Sequence, residues 1–459
     1  MKTKIDILNA YSQFFGENDT VVIQEVIESI NGEQTEGISI YLTRRRAPDS
    51  LIYMGFHFPT VHNDILLQGG NGGLGAALQK NNIASTTASG YALMSCNLGT
   101  SRGASYGYQR PQVMEDFGHI AVYETHRIGN ALYEFIYGKK PKFTYYWSGS
   151  TGGQMGMSMV IRHPECFDGV ILGAPANNRL GVHNYFIWVY QKLRTKGEYA
   201  LPLFTLEECE KIHRVAIDFH KARGRMLEQS PDTIAYPVTE EAEINEFLDA
   251  VAEAMPLSDE QKTALYDVYQ GPRNENTGER FYRGLPIGSE FHPHGLYPSV
   301  STEAMLSYQF IQLWTLGDKF DPMTYDFGDD YEKCVSMLSA DLDAKDPDIT
   351  AYLSRGGKLL MYAGTTDAVV PYGGTLDYVK AVRECVDEKY LDNFTFFVCP
   401  TIDHPIASGS PSLITCREDG GSVLDAIRAW VEEGKRPEVL YVNAKTEQKE
   451  TVQLKVYRS

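Results

Sequence analysis

Several patterns are missing from this chain of 459 residues. No apolar run approaches the roughly 20 residues of a membrane span, so no membrane partner is expected. The opening stretch, MKTKIDILNAYSQFFGEND, holds neither an apolar core of signal-peptide length nor a small-residue cleavage site. Positive charge is scarce: 42 Lys and Arg stand against 60 Asp and Glu, a formal net charge of −18 at pH 7. That balance argues against nucleic acid and anionic membrane as partners and favours a self-repelling particle. The cysteines Cys96, Cys166, Cys209, Cys334, Cys385, Cys399 and Cys416 are odd in number and form no C-x-x-C pair. Neither a disulfide frame nor a zinc site is expected, and the chain reads as cytoplasmic with reduced thiols. There is no G-x-x-x-x-G-K-[ST]. Nor is there a G-x-G-x-x-G in a strand–turn–helix unit with an acid about 20 residues on, so a nucleotide role is set aside and no cofactor is expected. Internal repeats and low-complexity tracts are absent.

What remains is an ordinary globular mixture, 43% apolar and 22% charged. The 29 tyrosines are read as strand and interface residues ahead of an aromatic-lined pocket. Residues 38–57 alternate like a strand broken at Pro48, and Arg44–Arg46 within them read as a solvated strand end or turn. DILLQGGNGGLGAAL (64–78) reads as a short strand, a glycine knot and a helix start; YALMSCNLG (91–99) reads as a buried strand. EDFGHIAVYETHRIGNALYEFIYG (115–138) has helical spacing and closes on Gly138. KFTYYW (142–147) is a strand, a Ser-Gly knot follows, MGMSMVIRHP continues as a helix to Pro164, and FDGVILGAPA (167–176) is again a strand. This rhythm predicts a doubly wound, mostly parallel sheet of the α/β class. Residues 177–350 are helix-patterned and acidic, and the rhythm resumes with GGKLLMYAGTTDAVVP (356–371), GGTLDYVKAVRECV, NFTFFVCP (393–400) and SVLDAIRAWVEEG (422–434). The expected organisation is a sheet domain of residues 1–176 and 351–459, interrupted by one large helical insertion at 177–350. The last segment, PEVLYVNAKTEQKETVQLKVYRS, reads as an edge hairpin.

The chemistry centres on YYWSGSTGGQMGM (145–157). A serine at a sharp strand-to-helix turn is thrust out at the carboxyl end of the sheet, over the positive end of the helix. Its neighbours two residues away must be small. A literal G-x-[S/T]-x-G search centres on Thr151, but a β-branched residue is penalised at the positive φ such a turn needs. Ser148 has Tyr146 two residues before it. Ser150, flanked by Ser148 and Gly152, is the best candidate. A serine nucleophile needs a base, and the base an orienting carboxylate. Asp367 falls just past one apolar strand and His404 just past the next, in the α/β-hydrolase order Ser…Asp…His. Asp403 is the rival acid, set aside because adjacent side chains rarely pair head-on. The N–H of Thr151 and one from GGNGG (69–73), either Gly72 or Gly73, would form the oxyanion hole. His292 and His294 read as a loop pair rather than metal ligands, and His57, His62, His119, His126 and His163 as surface or packing residues.

Six collinear segments carry a family resemblance: GGNGGLGAAL, DFGHIAVYETHRIGNALYEFIYGKKPKFTYYWSGSTGGQMGM, RHPECFDGVILGAPA, YQGPRNENTGERFYRGLPIGSE, LLMYAGTTDAVVPYGGTLDY and AIRAWVEEGKRPEVL. The chain resembles the tannase and feruloyl esterase family of α/β-hydrolases. The resemblance implies a nucleophile at Ser150, an acid at Asp367, a base at His404 and a lid formed by the insertion. It also implies serine-esterase activity on small aromatic esters such as feruloyl, caffeoyl or galloyl compounds. A hydrolase of other esters or thioesters with the same triad, or a non-catalytic binding protein on this scaffold, are the alternatives. Relatives carry a Cys before the nucleophile and another after the His, joined by a disulfide; here Gly149 and Pro405 stand there, which fits a reducing compartment. Pro405 and its surroundings would then replace the tether. The family's calcium loop finds no D-x-D-x-D match in LEECEKIHRVAIDFHKARGRMLEQSPD, so no metal is expected. The C-terminus also lacks the family's Cys-containing arginine–proline tail.

Overall fold

Alternating aliphatic and aromatic residues in GISIYLTRRRA and SLIYMGFHFP build two long antiparallel strands, β2 (Gly37–Ala47) and β3 (Ser50–Pro59), turning at Pro48 and Asp49. The computed structural model describes residues 1–78, 83–196, 200–227, 230–234, 240–291, 295–296, 309–400, 402–404, 414–443 and 451–457. In it these two strands belong to a nine-stranded sheet with β1 (Thr20–Gln24), β4 (Ile65–Gly69), β5 (Ala92–Cys96), β6 (Phe143–Ser150), β7 (Gly169–Pro175), β8 (Lys358–Gly364) and β9 (Phe394–Cys399). The order is β1-β2-β3-β5-β4-β6-β7-β8-β9. Pairing is antiparallel from β1 through β3 to β5 and parallel from β5 to β9. Every residue of β7 is buried, as expected of a parallel strand covered on both faces.

Alternate residues of β6 feed two core layers. Tyr146 joins the layer under α1 (Ala121–Tyr137), α2 (Thr151–Arg162) and the later helix Tyr372–Cys385. Tyr145 joins the other layer, under the closing helix Val423–Glu433. Between β7 and β8 the chain forms helices α3 (Arg179–Lys192), α4 (Leu206–Ala222), α5 (Glu241–Ala254), α6 (Asp259–Gln270), α7 (Phe310–Leu316) and α8 (Asp329–Leu342), with a small hairpin of Met226–Leu227 and Ser230–Ile234. Thr205 and Ser258 start α4 and α6 with capping boxes. Phe247 and Leu265 of this insertion share a core with Ile171 and Leu360 of the sheet. Accordingly α3 is buried on all sides from Arg179 through Val189, wedged between the two.

Three local expectations differ from the structure. No helix starts at 74–78: Gly75 and Ala76 take φ of 83° and 65°, which a right-handed helix forbids, and the Ala76 N–H donates to Asn97 O and Thr100 Oγ1. The helix begins at Ile83. The C-terminal hairpin forms and lies against the edge strand β9, but it does not extend the main sheet as a further strand. Its strands, Val439–Asn443 and Thr451–Lys455, pair with Ile414–Thr415 in a separate three-stranded sheet, bridged to β9 at Phe397 and Val456. Of the arginine triplet Arg45 and Arg46 are exposed as expected, but Arg44 is drawn in: it pairs with Asp19 (2.7 Å) and Glu124 (2.9 Å), while the exposed Arg46 pairs with Asp116 (2.7 Å) and Glu115 (2.8 Å).

Candidate active site

Strand β6 ends and α2 begins with no intervening loop, and Ser150 is the hinge. Its φ of 56° and ψ of −124° lie in a region that residues with a Cβ rarely occupy. The chain turns sharply there, so the Ser150 side chain stands over the first turn of α2, where helix N–H groups lack intrahelical partners. The Ser150 carbonyl is held by the Ala176 N–H at 3.0 Å, anchoring the turn to the end of β7.

Asp367 follows β8 and is fully buried. One carboxylate oxygen, Oδ1, accepts the Val369 and Val370 N–H groups at 2.8 and 2.9 Å. The other, Oδ2, lies 2.9 Å from His404 Nδ1. His404 follows β9, and its Nε2 is 3.0 Å from Ser150 Oγ. An ionised carboxylate only accepts, so Nδ1 carries the proton and Nε2 turns its lone pair toward the Ser150 hydroxyl. The imidazole's carboxylate partner is Asp367 and not the adjacent Asp403. The insertion backs the acid loop. Tyr185 of α3 donates to Ala368 O at 3.2 Å, and burial, with the nearby Tyr282 and Asp367 charges adding to it, lifts the Tyr185 phenol well above its usual range.

The two glycine candidates of the knot are not equivalent. The Gly72 N–H is taken by Asn71 Oδ1 at 2.9 Å, and Asn71 is itself anchored through Nδ2 to Ala77 O at 2.7 Å and Cys96 O at 3.2 Å. The Gly73 N–H has no acceptor among the described residues, and Gly73 O receives the Thr151 hydroxyl at 2.7 Å. Asn71 was missed in the sequence, although an Asn among glycines is a recognised former of side-chain-locked turns.

The other histidines pack elsewhere. His57 meets Ser39 Oγ at 2.9 Å, His62 and His163 stack on Tyr137 and Tyr123, His119 faces Asp341, and His126 is buried. His292, His294 and Pro405 lie outside the described residues. Among the described residues, no group of three or more His, Cys, Asp or Glu is placed to hold a metal ion, and no helix is long and apolar enough to cross a membrane.

A mostly parallel sheet with a serine at the strand-to-helix turn, and an acid and a histidine after the two following strands, defines an α/β-hydrolase. The chain belongs to the tannase and feruloyl esterase family, whose model matches residues 40–458. It is thus a serine carboxylic-ester hydrolase. It is 27% identical over 414 residues to the probable feruloyl esterase B-1 of Aspergillus oryzae, covering 85% of this chain and 74% of that protein. Its fold is similar to the crystal structure of feruloyl esterase B from Aspergillus oryzae, with a TM-score of 0.81 at 19% identity, covering 99% of this chain and 95% of the other. It is also similar to tannin acyl hydrolase from Aspergillus niger, with a TM-score of 0.71 at 18% identity, covering 96% and 89%.

Proposed function

We propose that the chain hydrolyses phenolic acyl esters of the feruloyl, caffeoyl or galloyl type through a Ser150–His404–Asp367 triad. The observation that carries this reading is the line of hydrogen bonds from Asp367 through His404 to Ser150, at 2.9 and 3.0 Å, ending on a serine at positive φ. Ser150 Oγ attacks the ester carbonyl while His404 Nε2 takes its proton, and Asp367 holds the tautomer and stabilises the imidazolium. The oxyanion faces the Thr151 and Gly73 amides; Gly72 has no part in the hole because its N–H is engaged by Asn71. Collapse of the tetrahedral intermediate breaks the ester C–O bond, and His404 gives its proton to the leaving alcohol. Water then enters, His404 removes its proton, and the acyl–Ser150 bond breaks to release the acid.

The substrate class is supported by the family and by the names its relatives bear. In this reading the helical insertion, residues 177–350, is the lid over the acyl group, supported by Tyr185 and Tyr282 lying close to the Asp367 loop. A reducing, cytoplasmic setting is supported by seven cysteines that all stand free. The test is a panel of feruloyl, caffeoyl, galloyl and short aliphatic nitrophenyl esters. The reading requires higher kcat/KM on the phenolic acyl esters; turnover confined to the aliphatic ones would replace it with a general esterase.

A further inference from the structure

Alternate residues of a strand share a face, so β6 places Tyr146, Ser148 and Ser150 in one row. Ser150 meets the imidazole; the other two have no part in the steps above. Tyr146 is fully buried, and its hydroxyl donates to Gly152 O, in the first turn of α2, at 2.6 Å. The Ser148 side chain lies beside the same phenol and offsets part of the rise that burial causes. Burial raises the Tyr146 phenol well above its usual 10, so it keeps its proton and stays a donor. The result is a pair of neighbouring hydroxyls facing Gly70, one of which, Tyr146 Oη–H, donates to Gly152 O.

Two backbones rest directly on this hydroxyl pair. A Cβ on Gly70 would collide with both the Tyr146 hydroxyl and Ser148 Oγ, and a Cβ on Gly152 would collide with Ser148 Oγ. Gly70 leads into the loop that carries the Gly73 N–H, and Gly152 follows the Thr151 N–H. The Thr151 Oγ1 to Gly73 O bond, 2.7 Å, joins the same two segments from the other side.

We infer that Tyr146 and Ser148 are positioning residues for the oxyanion amides, setting the gap between the Gly73 and Thr151 N–H groups through Gly70 and Gly152. The inference rests on the reading of Ser150 as nucleophile with these amides as its oxyanion donors. An oxyanion hole stabilises charge that exists only in the transition state, so a misplaced donor lowers kcat and leaves ground-state binding alone.

The test uses Tyr146→Phe, which removes one oxygen, and Ser148→Ala, which removes the other. With Tyr146→Phe, kcat should fall about 10- to 100-fold, the range of a small misplacement transmitted to the reacting groups. KM should stay within about twofold. A boronic-acid transition-state analogue should weaken in parallel with kcat while the Kd of the product acid holds. A merely structural Tyr146 would lower the unfolding midpoint and leave kcat and analogue affinity of the folded enzyme at the parent values; that result overturns the inference. The double variant should lose less than the sum of the two single losses, because both hydroxyls bear on the same glycine backbone, and strictly additive losses overturn that coupling. If Tyr146→Phe does not fold, Ser148→Ala carries the same readouts. Fluorophosphonate labelling of Ser150→Ala, run alongside, separates the two levels. Labelling retained in Ser150→Ala defeats the nucleophile reading, whereas labelling abolished in Ser150→Ala together with parent kcat in Tyr146→Phe defeats this inference alone.

Discussion

Among the described residues, two fully buried carboxylates each grip an imidazole, one at the edge of the sheet and one in the insertion. At the sheet edge, Asp367 binds His404 at 2.9 Å and two backbone amides. In the insertion, Glu290 binds His213 at 2.7 Å, the Tyr269 hydroxyl at 2.8 Å and the Gly288 amide at 2.8 Å. Burial works to raise the Glu290 carboxyl, yet the His213 hydrogen bond and charge, with the Gly288 amide, outweigh it and leave the group below its usual 4.5. Paired this way the two sites look alike. They part on the far side of the imidazole: His404 meets a serine at a strained turn, while His213 lies edge-on to Phe291 with no second hydrogen-bond partner among the described residues. A carboxylate–imidazole pair is therefore as much a way of burying charge as a catalytic device. In the proposed mechanism, what sets one of them apart is the strand-to-helix turn that delivers a hydroxyl.

The largest expected effect separates the two pairs directly. Asp367→Asn should lower kcat by about 10⁴-fold, since the imidazole loses both its tautomer and its counter-charge. Glu290→Gln should keep kcat within a few-fold and instead cost about 1–3 kcal/mol of stability, read by urea unfolding. A collapse of kcat in folded Glu290→Gln would break the comparison.

The next effect is on stability against pH. Glu290 has a depressed folded pKa, so its contribution is in place above about 4.5 and is lost as pH falls through the folded value. His126, under the sheet, and His220, in the insertion, are held by burial at about 4, against 6.5 in an unfolded chain. Each stays neutral in the fold while the unfolded chain takes up a proton, so stability should fall as pH drops from 6.5 toward 4. His220→Leu should flatten that decline, and an unchanged slope in a pH series of unfolding curves would show that His220 does not contribute. The smallest effect is expected at Asp403→Asn, which should leave kcat/KM within a few-fold because Asp367 already holds the Nδ1 proton.

The parts of the site that were legible in the sequence are those encoded locally. An apolar strand that ends at Ser150, or that Asp367 or His404 follows within five residues, marks the carboxyl edge of a parallel sheet, and the order of the three residues does the rest. The choice between Gly72 and Gly73 was not legible, because it turns on which N–H the Asn71 side chain occupies in the folded loop. The Arg44 and Arg46 pairs were hidden for a related reason: Asp19, Glu124 and Asp116 lie far along the chain and come near only when the sheet and α1 assemble. Helix propensity after the glycine knot was overridden by the Asn97 and Thr100 acceptors that hold Ala76 at positive φ.

The central claim is that Ser150, and not Ser148 or Thr151, is the nucleophile. Peptide mass mapping of the enzyme after reaction with a fluorophosphonate probe tests it most directly. The account predicts a single adduct on Ser150, abolished in Ser150→Ala and retained in Thr151→Ser. An adduct on Ser148 or Thr151, or full labelling of Ser150→Ala, would contradict it.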